Sequence, residues 1–234
     1  MFDLEHMFRI YSLLIGIAFG HFQTAYIFGR VFKKIDIRDH GSGSSGMTNA
    51  NRVMGKKFGV PVLIIDAAKG FFAFVLCAYI FGGISAFGVF SFEYRQTLEA
   101  VYSNPWLPGL YGGLGAVLGH MFPIYMRFRG GKSIAAALGL VIALNPIMAL
   151  ITFGVWGIVV MVTRYVSLAS IVGLIMLPVM LHTFFMGTND GFMEIVAVGY
   201  FLTVLITYKH KDNIKRLLNG NENKLGTRVK IGDK

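Results

Sequence analysis

Four short polar segments interrupt an otherwise apolar chain, and each carries residue types suited to holding an anion. The first reads DIRDHGSGSSGMTNANRVMGKK, from Asp36 to Lys57. Gly41, Gly43 and Gly46 alternate with Ser42, Ser44 and Ser45, giving a flexible loop dense in backbone N–H donors, and concave runs of such donors bind anions. Arg52 follows within reach with a planar fork that matches a phosphate. An ordinary Gly/Ser linker would share this composition. The second segment, GHMFPIYMRFRGGKS from Gly119 to Ser133, ends in Gly130-Gly131-Lys132-Ser133 where a helix begins. Free N–H groups at a helix start favour an anion, and Lys132 supplies counter-charge. A nucleotide-binding P-loop is excluded, because Met126 stands where that motif needs its first glycine and an apolar helix, not a strand, precedes it. Read alone, the cations of this segment would serve membrane orientation equally well.

The third segment is Arg164-Tyr165-Val166-Ser167-Leu168-Ala169-Ser170, in which Ser167 or Ser170 suits a helix N-cap. The fourth, YKHKDNIKRLLNGNENKLG from Tyr208 to Gly226, sets His210 and Asn213 three residues apart, on one helical face. Asp66 and Lys69 have the same spacing inside an apolar stretch, where ionisable groups pair or line a polar cavity, and a structural ion pair is the favoured reading. His6, His21, His120 and His182 have no acidic or cysteine partner at metal spacing and read as structural or interfacial. The single cysteine, Cys77, lies in an apolar run, so no disulfide framework, metal site or cofactor is expected. None of the six histidines is followed by Asp five residues later, which excludes the usual His–Asp acyltransferase dyad.

These segments must be positioned by membrane helices. The 234 residues are 55% hydrophobic and 15% charged, and runs of about 20 apolar residues, each enough to span the hydrocarbon, recur. The chain reads as all-α and polytopic, one integral membrane domain over 1–234. Seven spans are expected, near 10–29, 58–82, 107–126, 133–145, 146–163, 167–187 and 192–208. Asn145-Pro146 separates the fourth from the fifth, and the first is a retained helix, with only Arg9 ahead of it. The 84–104 stretch reads as an interfacial loop or helix. Small residues four apart, Gly16/Gly20 and Gly115/Gly119, suit close helix packing.

The net charge of +10 is a membrane signal and not a nucleic-acid one. Seven Lys and Arg fall in 30–57, three between Arg127 and Lys132, one at Arg164 and eight from Lys209 onward, nineteen of the 22. With seven spans these connections share a side. Positive-inside makes that side cytoplasmic and puts the N-terminus outside.

Taken in order, DIR…GSG…G-x-TN…R…GKK, D-x-x-KG, GH-x-FP…F-x-GGK…A, RY-x-S and H-x-x-NI-x-RLL-x-G-x-E-x-K resemble the bacterial acyl-phosphate-dependent glycerol-3-phosphate acyltransferases, the PlsY family. The resemblance runs from about Asp36 to Lys224. It implies a bacterial cell-membrane enzyme with seven spans and a cytoplasm-facing site. That enzyme passes an acyl group from acyl phosphate to the 1-hydroxyl of glycerol-3-phosphate, giving lysophosphatidic acid and phosphate. By motif matching, Arg52, Lys132 and His210 would be catalytic. Gly41, Ser42, Gly43, Ser44, Gly46, Thr48, Asn49, Gly130, Gly131, Ser133, Ser167, Ser170, Asn213 and Glu222 would join them around the substrates' phosphates. His210 is open to two roles, general base or phosphate ligand. The chain departs from the family pattern at Ser44 (commonly Asn), Ser45 (commonly Ile or Pro-like), Ser133 (commonly Gly) and Ala136 (commonly Thr), which bears on substrate preference more than on activity. An anion transporter is the rival from another class, but transporters place their sites near the midplane, often with inverted repeats, and here the candidates gather at one interface. Cysteines introduced at Ser45 and Lys224 should both be labelled only from the cytoplasmic side; labelling of either from outside intact cells would overturn this orientation.

Overall fold

The computed structural model describes residues 4–82, 106–187 and 191–228; the 84–104 reading lies outside them. The described residues are helical throughout, with no strand among them. In chain order they form α1 (Leu4–His21), α2 (Thr24–Phe28, continuing into a π turn at Gly29–Lys33) and a 3-10 turn (Ile37–Asp39). Then come α3 (Met47–Met54), α4 (Lys56–Gly82), α5 (Leu107–Met121), a second 3-10 turn (Ile124–Met126) and α6 (Ile134–Leu144). Last are α7 (Pro146–Thr163), α8 (Val166–Phe185), α9 (Phe192–Lys209) and α10 (Lys211–Leu218).

Among the described residues, five segments are long and apolar enough to cross a bilayer: Met7–Lys33, Lys56–Phe81, Pro146–Thr163, Val166–Phe185 and Phe192–Lys209. The chain is therefore a multi-pass membrane protein. α5 and α6 have 15 and 11 residues, so at about 1.5 Å per residue each falls short of the roughly 30 Å hydrocarbon core. The segment expected to run to 126 stops at Met121. Pro123 disfavours helix at Phe122, and left-handed backbone at Arg127 and Phe128 (φ 54° and 59°) turns the chain back. The Asn145-Pro146 break is a true helix boundary. Asn145 Oδ1 accepts from the N–H groups of Ile147 and Met148 at 2.9 and 3.1 Å, and Pro146 occupies the first turn.

The short helices are held by backbone contact rather than bulky side chains. A Cβ on Gly16 would lie 1.9 Å from the Gly112 carbonyl oxygen, and one on Gly119 would lie 2.3 Å from that of Ile17. α1 and α5 thus touch along both small-residue pairs. α6 meets α4 in the same way, with Gly139 against Ala67. Lipid offers no solvent-driven force between helices, so close van der Waals packing does this work. Around the contacts Phe74, Leu110, Met121, Met148, Ile195 and Ile206 are fully buried. At the end remote from the polar segments, Arg9 on α1 pairs with Glu194 on α9 at 2.7 Å, and the Tyr111 hydroxyl on α5 donates to the same carboxylate. Gly16→Leu must separate α1 from α5 and should cost about 1–3 kcal/mol or more. Thermal unfolding in detergent should show a clear fall in Tm; an unchanged Tm would contradict the packing described.

Candidate functional site

The first polar segment is a wound loop, not a free linker. Asp36 caps the 3-10 turn by accepting from the Arg38 N–H at 3.0 Å, and the Arg38 side chain folds back onto its carboxylate at 2.7 Å. The Arg38 guanidinium holds the Asp36 carboxyl down at about 2. Arg38 also donates to the Met126 carbonyl at 3.1 Å, fastening this segment to the second. Asn49 is the spindle of the loop. Its Oδ1 accepts from the Ser42 N–H at 2.8 Å, and its Nδ2 donates to the carbonyls of Ile37, His40 and Ser44 at 3.2, 3.0 and 2.9 Å. Gly41, at φ 60°, passes so close that a Cβ there would lie 2.3 Å from Asn49 Oδ1. The flexibility expected of Gly41–Gly46 is thus spent on a tight wrap, and the Asn49 carboxamide is used inside it. Ser45, one of the departures, is fully buried and donates to Gln23 Oε1 at 2.9 Å. Gln23 in turn donates to the His120 carbonyl at 3.0 Å.

The second segment packs onto the end of α5. The N–H groups of Gly130 and Gly131 donate to the carbonyls of Met121 and His120 at 3.3 and 3.1 Å. Substituents on either glycine would strike His120, its carbonyl oxygen at 2.1 Å from Gly130 and its Nε2 at 2.2 Å from Gly131. Ser133 precedes α6 in a left-handed conformation, φ 61°. That conformation favours glycine, the residue that the family resemblance leads one to expect here. The Ser133 hydroxyl caps nothing and donates instead to the Val117 carbonyl at 2.8 Å. Below the loop, Lys69 donates to the Phe22 carbonyl at 2.6 Å and to His120 Nδ1 at 2.8 Å, and pairs with Asp66 at 2.8 Å. The Thr24 hydroxyl donates to the same Asp66 oxygen. The expected Asp66–Lys69 ion pair is present, and His120 belongs to it.

The third segment departs from expectation. α8 begins at Val166 with Tyr165 as its N-cap residue, so Ser167 and Ser170 lie inside the helix and cap nothing. Ser170 donates back to the Val166 carbonyl at 2.9 Å, while the buried Ser167 hydroxyl has no hydrogen-bond partner. The fourth segment bends at His210, between α9 and α10. The His210 Nδ1 lies 2.8 Å from the Ile206 carbonyl oxygen, which can only accept, so Nδ1 carries the proton and Nε2 the lone pair. Asn213 accepts from the Lys132 ammonium and donates to Glu222 at 3.1 Å; Glu222 also accepts from Arg216 at 2.8 Å. Glu222 thus anchors the returning tail, whose Asn223 and Leu225 carbonyls accept from Arg52 at 3.4 Å and Arg164 at 3.2 Å.

These elements enclose a cavity of about 240 Å³. Its wall includes Ser42, Ser44, Gly46, Thr48, Asn49, Arg52, Lys132, Ser133, Ser167, Ser170, His210, Asn213 and Glu222. The rest of the wall is largely apolar, with Leu63, Leu138, Val141, Phe153, Leu174 and Leu177. Gly41, Gly43, Gly130 and Gly131 do not line it; they shape the backbone behind it. Thr152, Phe153 and Trp156 do line it, and so do Asp66 and His120. The first three sit on α7 amid apolar sequence with nothing to single them out. The last two were legible as polar groups in an apolar setting, but read as structural. Burial lowers the pKa of Arg52. Burial, with the nearby Arg216 charge, lowers Lys132 to about 8, and burial with the Lys132 charge lowers His210 to about 4. Partly desolvated cations short of counter-charge, beside hydroxyl donors, are suited to a phosphate ester, and the apolar wall to a hydrocarbon chain.

The comparisons with known proteins agree with this geometry. The sequence profile described as glycerol-3-phosphate acyltransferase matches residues 10–220. A glycerol-3-phosphate acyltransferase of Thermoanaerobacter sp. (strain X514) is 33% identical over 225 residues, covering 96% of this chain and 100% of the relative. The one from Nostoc sp. (strain PCC 7120 / SAG 25.82 / UTEX 2576) is 37% identical over 222 residues, covering 93% and 92%. Two crystal structures of PlsY, an integral membrane glycerol 3-phosphate acyltransferase, superimpose on the chain. The lysophosphatidic acid form does so with TM-score 0.72 at 33% identity, covering 94% of this chain and 96% of that one. The glycerol 3-phosphate form gives 0.70 at 35% identity, covering 95% and 96%. The chain belongs to the glycerol-3-phosphate acyltransferase family, in its PlsY branch.

Proposed function

We propose that this protein, a single seven-span membrane domain with its N-terminus outside, acylates the 1-hydroxyl of glycerol-3-phosphate on the cytoplasmic face, taking the acyl group from acyl phosphate. Lysophosphatidic acid and inorganic phosphate are the products. The observation that carries this reading is the cavity wall, which combines Arg52, Lys132 and the unpartnered Ser167 hydroxyl with apolar side chains such as Leu138, Val141, Leu174 and Leu177. A donor that is itself a phosphate needs the same cationic surroundings as the acceptor. A thioester donor with a nucleotide handle would need a recognition surface that these short loops do not offer.

In the proposed reaction the glycerol hydroxyl oxygen attacks the acyl carbonyl carbon, forming the ester C–O bond. The bond from that carbon to the phosphate oxygen breaks, and phosphate leaves with the electron pair. The hydroxyl proton passes to His210 Nε2 or to a phosphate oxygen. His210 suits the first route, because its Nδ1–H is committed to Ile206 and its Nε2 lone pair is the free acceptor. Arg52 and Lys132 hold phosphate and stabilise charge on the departing oxygen, aided by Ser42, Ser44, Thr48, Ser167 and Ser170. Asn213 orients Lys132, and Glu222 orients Asn213. Catalysis on this account comes from positioning and preorganised electrostatics.

Purified protein in lipid, given glycerol-3-phosphate, should release phosphate and lysophosphatidic acid together from acyl phosphate and not from acyl-coenzyme A. Use of the thioester alone, or movement of glycerol-3-phosphate into liposomes without acylation, would refute the assignment. Arg52→Ala and Lys132→Ala should each lose about ten- to hundredfold in kcat/KM, the worth of a charge-assisted contact of roughly 1.5–3 kcal/mol. The pH dependence follows from Lys132. It binds an anion only while protonated, so kcat/KM should hold below about pH 8, the value for the free enzyme, and fall above it. Lys132→Arg should weaken activity through its different shape but carry the plateau to higher pH. A wild-type profile flat past pH 9 would remove Lys132 from substrate binding.

A further inference from the structure

The cavity is faced by a second histidine that the proposed reaction does not use. His120 sits at the end of α5, 2% exposed, yet lines the cavity beneath the Gly130–Lys132 loop. Its hydrogen-bonding state is fixed by its neighbours. The Phe22 carbonyl and the Asp66 carboxylate can only accept, so Lys69 is the donor to both, at 2.6 and 2.8 Å. An ammonium has no lone pair, so its third contact, to His120 Nδ1 at 2.8 Å, is also a donated bond. Nδ1 therefore holds the lone pair, and the ring proton resides on Nε2. That nitrogen lies against Gly131, where the loop has no side chain to cover it; a Cβ there would stand 2.2 Å away. His210 has the opposite arrangement, with Nδ1–H donating to Ile206 and Nε2 left as the acceptor.

We propose that His120 is a substrate-contacting residue: its Nε2–H, locked in that tautomer by Lys69, donates a hydrogen bond to a phosphoryl oxygen held at the Gly130–Lys132 loop. His120 transfers no proton, and Lys69 acts through it as a positioning residue. The two histidines then divide the work, His120 as fixed donor to the anion and His210 as acceptor for the attacking hydroxyl. The backbone geometry fits this role. The His120 carbonyl accepts from the Gly131 N–H at 3.1 Å and from Gln23 at 3.0 Å. Since Gln23 also accepts from Ser45, the residue carrying the donor is tied to both phosphate-facing loops. The phosphoryl oxygen belongs either to glycerol-3-phosphate or to the phosphate leaving group, and the two are separable. The proposal rests on the acyl transfer described above, but its direct test needs no acyl donor.

The full chain, labelled with 15N-histidine and placed in lipid nanodiscs, gives imidazole nitrogen shifts that report the tautomer, with His120→Gln supplying the assignment. His120 should show a protonated Nε2 and a lone pair on Nδ1, and His210 the reverse. Titration with glycerol-3-phosphate and, separately, with inorganic phosphate should move the His120 Nε2 signal, and whichever ligand moves it identifies the oxygen bound. His120→Gln, which keeps an N–H near the Nε2 position, should retain kcat/KM within about tenfold. His120→Phe should lose about ten- to hundredfold, the range for a hydrogen bond to a charged group. A raised KM for glycerol-3-phosphate marks the acceptor phosphate; a lowered kcat with weaker inhibition by phosphate marks the leaving group. A proton on Nδ1 of His120 would overturn the proposal, as would an Nε2 signal that neither ligand moves at saturation. A folded His120→Phe with wild-type kcat/KM would do the same. Failure to use acyl phosphate, with the tautomer and phosphate shifts as stated, would instead fault the donor assignment alone.

Discussion

A lysine buried among apolar helices is the constraint around which the site end of this protein is arranged. Lys69 is 5% exposed and sits on α4 with all three ammonium hydrogens engaged, by the Asp66 carboxylate, the Phe22 carbonyl and His120 Nδ1. An unpaired charge in such a setting is costly, and removing one member of a buried pair leaves the other uncompensated. These contacts therefore do more than neutralise one another. They fix α4 against the chain just after α1, at Phe22, and against the end of α5, at His120, from which the Gly130–Lys132 segment follows.

That fixation works only because the helices already lie within backbone contact. Gly16 against Gly112 and Gly139 against Ala67 let α1, α5, α4 and α6 approach more closely than any Cβ would allow. The short α6 gains its place from this contact rather than from length. Its start, with Lys132 and Ser133, is set at the level where Arg52, His210 and Asn213 arrive from other elements. Arg9 and Glu194 close the far end of the same bundle.

The loops are tied to this scaffold, and around the cavity, through bonds among themselves. Arg38 reaches Met126, Ser45 reaches Gln23, Lys132 reaches Asn213, and the tail returns to Arg52 and Arg164. In the first two loops a glycine stands where another group must pass, Gly41 beside Asn49 and Gly131 beside His120. Ser167 and Thr152 keep buried hydroxyls with no partner on the cavity wall. A low-dielectric setting strengthens every contact such groups make with a ligand.

Much of this was legible in the sequence, for reasons that are local. Apolar runs bounded by Lys and Arg mark membrane helices because burying charge in hydrocarbon is costly. Asn145-Pro146 marks a helix boundary because proline lacks the N–H and asparagine supplies a cap. The four polar segments stand out because polar residues are scarce elsewhere, and spacing alone paired Asp66 with Lys69. What spacing cannot state is which atoms meet across the bundle. Ser167 or Ser170 read as a cap, yet α8 starts at Val166 with Tyr165 as its N-cap, so both lie inside the helix and line the cavity. Asn49 stood out only as a candidate phosphate ligand; that the loop winds around its carboxamide appears only in the fold. Thr152, Phe153 and Trp156 on α7 had no signal, since an apolar helix looks the same whichever face it turns to a cavity. The tautomers of His120 and His210 were beyond any motif. A ring nitrogen takes its proton from its partner, and the partners, Lys69 and the Ile206 carbonyl, are known only once the chain has folded.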